Sequence, residues 1–97
     1  MSPRDYKPEP IDTSQVRLPG EVEELTEELS RNAHDHWARQ RMAEGWRWDA
    51  ARNETRKLHP NLIPCEELPE SEKNYDRATA METVKAILAL GFRITRK

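Results

Sequence analysis

The chain has 97 residues, 16 basic against 18 acidic, with a net charge of −2. That is the length of one domain, 1–97, without the bulk positive charge that draws a protein to nucleic acid or to a membrane surface. Hydrophobic and charged residues each make up 35%, so any core is small and rests on a few large side chains. The single cysteine, Cys65, excludes an internal disulfide. No apolar run reaches the roughly 18–20 residues of a membrane span, and MSPRDYKPEP is no signal peptide, so a cytoplasmic protein is expected.

Residues 1–18 contain Pro3, Pro8 and Pro10, and Pro19 follows. Proline biases itself and its predecessor away from helix, which predicts an extended arm. Tyr6, Ile11 and Val16 are its apolar anchors onto the helices. A first helix starts near Pro19, with Glu21, Glu23 and Glu24 at the positive end of its dipole. Val22, Leu25, Leu29, Ala33 and Trp37 recur at helical spacing and predict its apolar face. Glu27–Arg31 and Asp35–Arg39 are spaced as i,i+4 ion pairs on its exposed side. Gly45 stops it after roughly 25 residues.

Residues 46–64 show no sustained period. Pro60 and Pro64 argue against helix, and an ordered loop carrying Trp46, Trp48, Leu58, Leu62 and Ile63 is expected to fold back over the first helix. A second helix starts around Pro69, with Glu70 and Glu72 in its first turn. It either continues or restarts near Asp76, and Ala80, Met81, Val84, Ile87 and Leu88 form its apolar face. Gly91 ends it. The alternation of Phe92 and Ile94 predicts a short extended tail, a brief strand or edge segment. The fold class is therefore mainly α: a compact few-helix domain with an extended arm, a long first helix, an irregular Trp/Pro-containing loop and a C-terminal helix.

All three tryptophans, Trp37, Trp46 and Trp48, lie in 32–52, interleaved with Arg39, Arg41, Arg47 and Arg52. Indole planes beside guanidinium groups suit a flat anionic ligand: the ring stacks on a base at about 1–3 kcal/mol and the cation meets phosphate. Trp37 and Arg41 share a helix face, Trp46 follows Gly45, and Arg52, Lys57 and His59 add donors. The same residues suit a helix junction, where tryptophan is core and arginine packs on it. From the residues alone, that packing role carries more weight. His34 and His36 are two apart, the wrong spacing for one metal ion on a helix; a solvated histidine or one bonding a loop carbonyl is expected. Cys65 reads as a small core residue. There is no nucleophile motif and no glycine-rich phosphate loop.

Six strings in order resemble the ryanodine-receptor repeat (RyR) domain: Tyr6-Lys-Pro-Glu-Pro-Ile-Asp-Thr-Ser with Val16-Arg-Leu-Pro, Leu29-Ser-Arg-Asn-Ala-His-Asp-His-Trp-Ala, Gly45-Trp46, Lys57-Leu-His-Pro-Asn-Leu-Ile-Pro, Leu68-Pro-Glu-Ser-Glu-Lys-Asn-Tyr-Asp-Arg, and Glu82-Thr-Val-Lys-Ala-Ile-Leu-Ala-Leu-Gly-Phe. The chain departs from the family pattern at Trp48-Asp49-Ala50 and at Cys65, which stands where the family has an aromatic. The resemblance implies a mainly helical fold and a stand-alone unit of prokaryotic or phage type. It carries no channel activity here. It also implies binding of a nucleotide or nucleotide-derived anion, sensed or sequestered without catalysis, cofactor or metal. Trp37 matches the base-stacking tryptophan, Arg41 a phosphate-facing arginine and Arg52 a basic position, with Trp46, Lys57 and His59 completing the expected site. Because the receptors place their ligand between two units, the resemblance implies a homodimer with one ligand between two Trp37 side chains. The alternative is a protein–protein interaction or dimerisation module with no small-molecule ligand, its Trp and Arg residues acting as interface anchors. An enzyme would need His34 or His36 as its acid/base group.

Overall fold

A computed structural model describes residues 5–97; Pro3 of the expected arm lies outside the described residues. The order is helix α1 (Gly20–Ala43), strand β1 (Arg47–Trp48), strand β2 (Leu58–His59), a 3-10 turn (Cys65–Glu67) and helix α2 (Glu70–Ala89). Both helices start directly after a proline, Pro19 and Pro69, and both carry glutamates in the first turn. The second helix runs unbroken through Asp76. No helix among the described residues is long and apolar enough to cross a membrane.

Both helices also end in the same way. Gly45 (φ 95°) and Gly91 (φ 97°) sit just past the last turn in the left-handed region that favours glycine. At α1 the Gly45 N–H donates to Met42 O and the Trp46 N–H to Arg41 O. At α2 the Gly91 N–H donates to Leu88 O and the Phe92 N–H to Ile87 O. These are Schellman turns: they satisfy carbonyls the helix leaves open, and at α1 the turn folds Trp46 back onto the last turn, whereas Phe92 stays exposed.

The helices pack antiparallel, since Glu27 meets Arg77 near their middles while the Trp37 end of α1 faces Glu72 and Asp76 near the start of α2. The face that α1 buries overlaps the predicted one, with Val22, Leu29 and Trp37 half-buried, but is centred one residue further along. Thr26, Ser30 and His34 are buried, whereas Leu25 is exposed and Ala33 faces solvent. The reason is steric. Small side chains let the helices come close, and the two hydroxyls need no partner across the interface, because Thr26 Oγ1 donates to Glu23 O (2.6 Å) and Ser30 Oγ to Glu27 O (2.9 Å) within the helix. Across from them lie Ala80 and Val84, the latter 2% exposed.

The predicted i,i+4 pairs give way to tertiary ones. Glu27 accepts from both Nε and Nη2 of Arg77, and Arg31 pairs with Glu66 at 3.1 Å. Contacts between elements have taken the charges of Glu27 and Arg31, while Asp35 and Arg39 form no ion pair among the described residues.

The stretch 46–64 contains more order than a loop. β1 and β2 pair in parallel, Arg47 with Leu58 and Trp48 with His59. Asn53 exchanges both backbone hydrogen bonds with Leu58 at 2.9 Å, closing a turn in which Lys57 takes φ 57°. Leu58, Leu62 and Leu68 are buried beside Trp46. The arm lies against α2: Thr13 Oγ1 donates to Glu82 at 2.6 Å, and Pro10 and Ile11 line a groove with Ala78, Thr83 and Ala86. Tyr6 is exposed and anchors nothing. Among the described residues, Phe92 and Ile94 pair with no strand.

A core this thin concentrates stability in few positions. Val84→Ala is expected to cost about 2 kcal/mol, for two buried methyl groups and the space they leave. The measurement is a fall in the urea midpoint with an unchanged slope; an unmoved midpoint would show that the α1–α2 interface is not closed in solution.

Candidate functional site

The site grows from the last two turns of α1. Trp37 and Arg41 stand one turn apart, and the Schellman turn at Gly45 brings Trp46 back beneath Arg41. The Arg41 Cζ lies 4.8 Å from the Trp46 ring centroid and 5.9 Å from that of Trp37. Both distances are within the range of cation–π attraction. Among the described residues no carboxylate forms an ion pair with Arg41. Its guanidinium rests on two aromatic faces with its N–H groups uncommitted to protein acids.

Strand β2 supplies the opposite wall. The His59 ring meets Trp37 edge-on at 5.0 Å and lies tilted to Trp46 at 6.2 Å. Its Nδ1 accepts the Asn61 N–H at 3.0 Å. Burial, then the Arg52 and Arg41 charges, push the His59 pKa below its ordinary 6.5, against an upward pull from Glu54 and Glu72. On the helix side His34 stacks on Trp37 at 5.7 Å, and its Nε2 donates to Ile63 O at 2.8 Å, tying the returning chain to α1. That is the loop-carbonyl bond expected of a histidine here.

Trp37 is half-buried and separates two clefts of about 230 Å³ each. One is lined by His34, Trp37, His59, Asn61, Glu72 and Asp76, with Leu68 as its floor. The other is lined by Trp37, Gln40, Arg41 and Glu44. Each is smaller than an ordinary small-molecule pocket, about 300–1,000 Å³, so a ligand larger than a base or a phosphate must reach around the indole. A wider hollow, about 410 Å³ between arm and α2, offers neither an aromatic platform nor an uncommitted cation.

Of the six expected site residues, four come together: Trp37, Arg41, Trp46 and His59. Trp46 lines neither of these two clefts. It is 6% exposed and serves as the surface on which Arg41 lies, because the helix-ending turn folds it inward. Arg52 is exposed and pairs through Nε with Glu54 at 2.6 Å; it influences His59 only by its charge. Lys57 donates from Nζ to Glu44 O at 2.7 Å and thereby closes the C-terminus of α1. Trp48, by contrast, is 56% exposed. Glu72 and Asp76 were not foreseen as site residues. Their i,i+4 spacing was visible, but acids in a first turn read as complements to the helix dipole.

Cys65 is half-buried, and burial raises its thiol pKa above the ordinary value, so it is a poor nucleophile. Among the described residues no group of three or more His, Cys, Asp or Glu is arranged to hold a metal ion. In the comparison with protein families, the model described as RyR domain matches residues 6–96.

The lowered His59 pKa has a sign. In the unfolded chain the ring takes its proton as pH falls through about 6.5, before it can do so when folded, so the contribution of neutral His59 is complete above that value and is lost below it. His59→Asn keeps an acceptor for the Asn61 N–H without titrating. Thermal midpoints taken from about pH 7.5 to about pH 5.5 should fall more steeply for wild type than for His59→Asn. Parallel curves would mean that His59 titrates as a solvated ring.

Proposed function

Because the chain belongs to the RyR-domain family, we propose that it is a cytoplasmic binding module for a nucleotide or nucleotide-derived anion, acting without chemistry. Trp37 stacks on the base and Arg41 meets the phosphate. The observation that carries this is Arg41 itself, held over Trp37 and Trp46 with no acidic partner among the described residues. A cation oriented by aromatic faces and not neutralised by the protein is preorganised for an anion from outside. Binding is the whole activity proposed. His34, one of two acid/base candidates, commits its Nε2 to Ile63 O, and His36 is exposed on α1.

The two clefts beside Trp37 are each too small for a complete nucleotide, which favours a homodimer in which two copies close on one ligand. Sensing and sequestration are the two uses of such binding. A protein-interaction or dimerisation module without a small ligand is the alternative. It is favoured by Trp48, an exposed tryptophan at the edge of the same region, a residue type enriched at interface anchors.

Tryptophan fluorescence titrated with linear and cyclic adenine and guanine nucleotides tests the proposal. Saturable quenching is expected, lost in Trp37→Phe and Trp37→Ala, and weakened by salt. Arg41→Ala should weaken binding about tenfold or more, the loss of a charge-assisted hydrogen bond. A flat response from folded wild type across the panel would overturn the ligand site and leave the interaction module.

A further inference from the structure

We propose that the cleft on the α2 side of Trp37 reads the hydrogen-bonding edge of the base, with His59 Nε2–H as the donor and the Glu72 and Asp76 carboxylates as the acceptors, so that the module selects bases bearing an amino group. The proposal rests on the nucleotide-binding function proposed above and assigns that site its specificity residues.

His59 provides the first observation. It is 9% exposed, and its Nδ1 accepts the Asn61 N–H. The neutral ring therefore carries its proton on Nε2. That N–H has no acceptor among the described residues. Yet no fully enclosed side-chain nitrogen or oxygen there lacks a partner, so Nε2 is not sealed off, and the open space that His59 lines is this cleft. Burial and the charges of Arg41 and Arg52 keep the ring neutral and the tautomer fixed.

The second observation is independent. Glu72 and Asp76 stand one turn apart on α2, half-buried in the wall of the same cleft. Other acids of this helix have partners: Glu70 pairs with Lys73 and Arg77, and Glu82 accepts from Thr13. Neither Glu72 nor Asp76 makes an ion pair or side-chain hydrogen bond among the described residues. Both carboxylates thus keep their acceptor capacity open to a ligand that brings donors into the cleft.

The mixture decides the class of ligand. Two carboxylates repel phosphate, which leaves the phosphate to the Arg41 side of the indole. A His N–H directed into the cleft, with Arg41 and Arg52 nearby, disfavours a simple cation. One donor with two acceptors complements an edge that has one acceptor and two N–H groups. Adenine, guanine and cytosine present such an edge; hypoxanthine and uracil offer one N–H, and unsubstituted purine none.

The test compares adenosine diphosphate, inosine diphosphate and purine riboside diphosphate by calorimetry, in wild type and in the double variant Glu72→Ala/Asp76→Ala, with circular dichroism to confirm folding. Wild type should bind adenosine diphosphate about tenfold more tightly than purine riboside diphosphate, with inosine diphosphate weaker than adenosine diphosphate. In the double variant that ratio should fall toward one while purine riboside diphosphate binds as before or more tightly. A merely structural role would move all three affinities together. Equal wild-type binding of the three, or discrimination that survives in the double variant, would overturn the edge reading and leave the stacking-and-phosphate site standing. No binding of any of the three would remove both.

Discussion

The environment of Trp37 depends on one reversal of the chain. At Gly45 the backbone turns left-handed, and the Trp46 N–H closes onto the Arg41 carbonyl. The same two residues then meet a second time through their side chains, guanidinium over indole at 4.8 Å. A Schellman turn ordinarily brings an apolar residue against the last helical turn; here an aromatic surface meets a cation. The turn thus performs two tasks at once, ending α1 and fixing Arg41, which forms no ion pair among the described residues. Lys57, held at φ 57° by the turn before β2, reinforces the same helix end from the far side.

The rest of the domain supports this corner with little material. Apart from Trp46, Leu58, Leu62, Leu68, Ala80 and Val84, the buried positions are polar: Thr26, Ser30, His34 and His59. The hydroxyls bond to their own helix, His34 Nε2 to Ile63 O and His59 Nδ1 to the Asn61 N–H, which leaves only the His59 Nε2–H of these groups open to the cleft. Polar groups answered within reach of their own backbone cost little to bury, which is how a chain of equal charged and hydrophobic content closes a core.

The punctuation of the fold was legible in the sequence. Pro19, Gly45, Pro69 and Gly91 mark both helices to within a residue or two, because proline and glycine act through their own backbone and need no tertiary context. What depended on context was lost. The buried face of α1 is centred on Thr26 and Ser30, since helix separation favours small residues over the more apolar ones beside them. Glu27 and Arg31 turned to Arg77 and Glu66. Two-residue strands carry no period to detect. In the site, Trp37, Arg41 and His59 were recognisable as residue types that suit one another, and the family pattern reinforced them. Trp46 was expected at the rim because sequence shows that it follows the glycine, not that the turn folds it inward. Glu72 and Asp76 were hidden by their distance along the chain.

That distance has a consequence for how the domain assembles. Trp37, Arg41, Trp46, Lys57 and His59 all come from one continuous segment, and the turns that join them close short loops. Short loops form quickly and at small entropic cost. The two carboxylates belong to α2 and reach Trp37 only when the helices dock. The aromatic and cationic half of the candidate site is therefore held by contacts within one segment, the acidic half by the docking of the two helices. Loosening of the helix pair, by heat or by sequence change, would remove the second half first and leave the first in place.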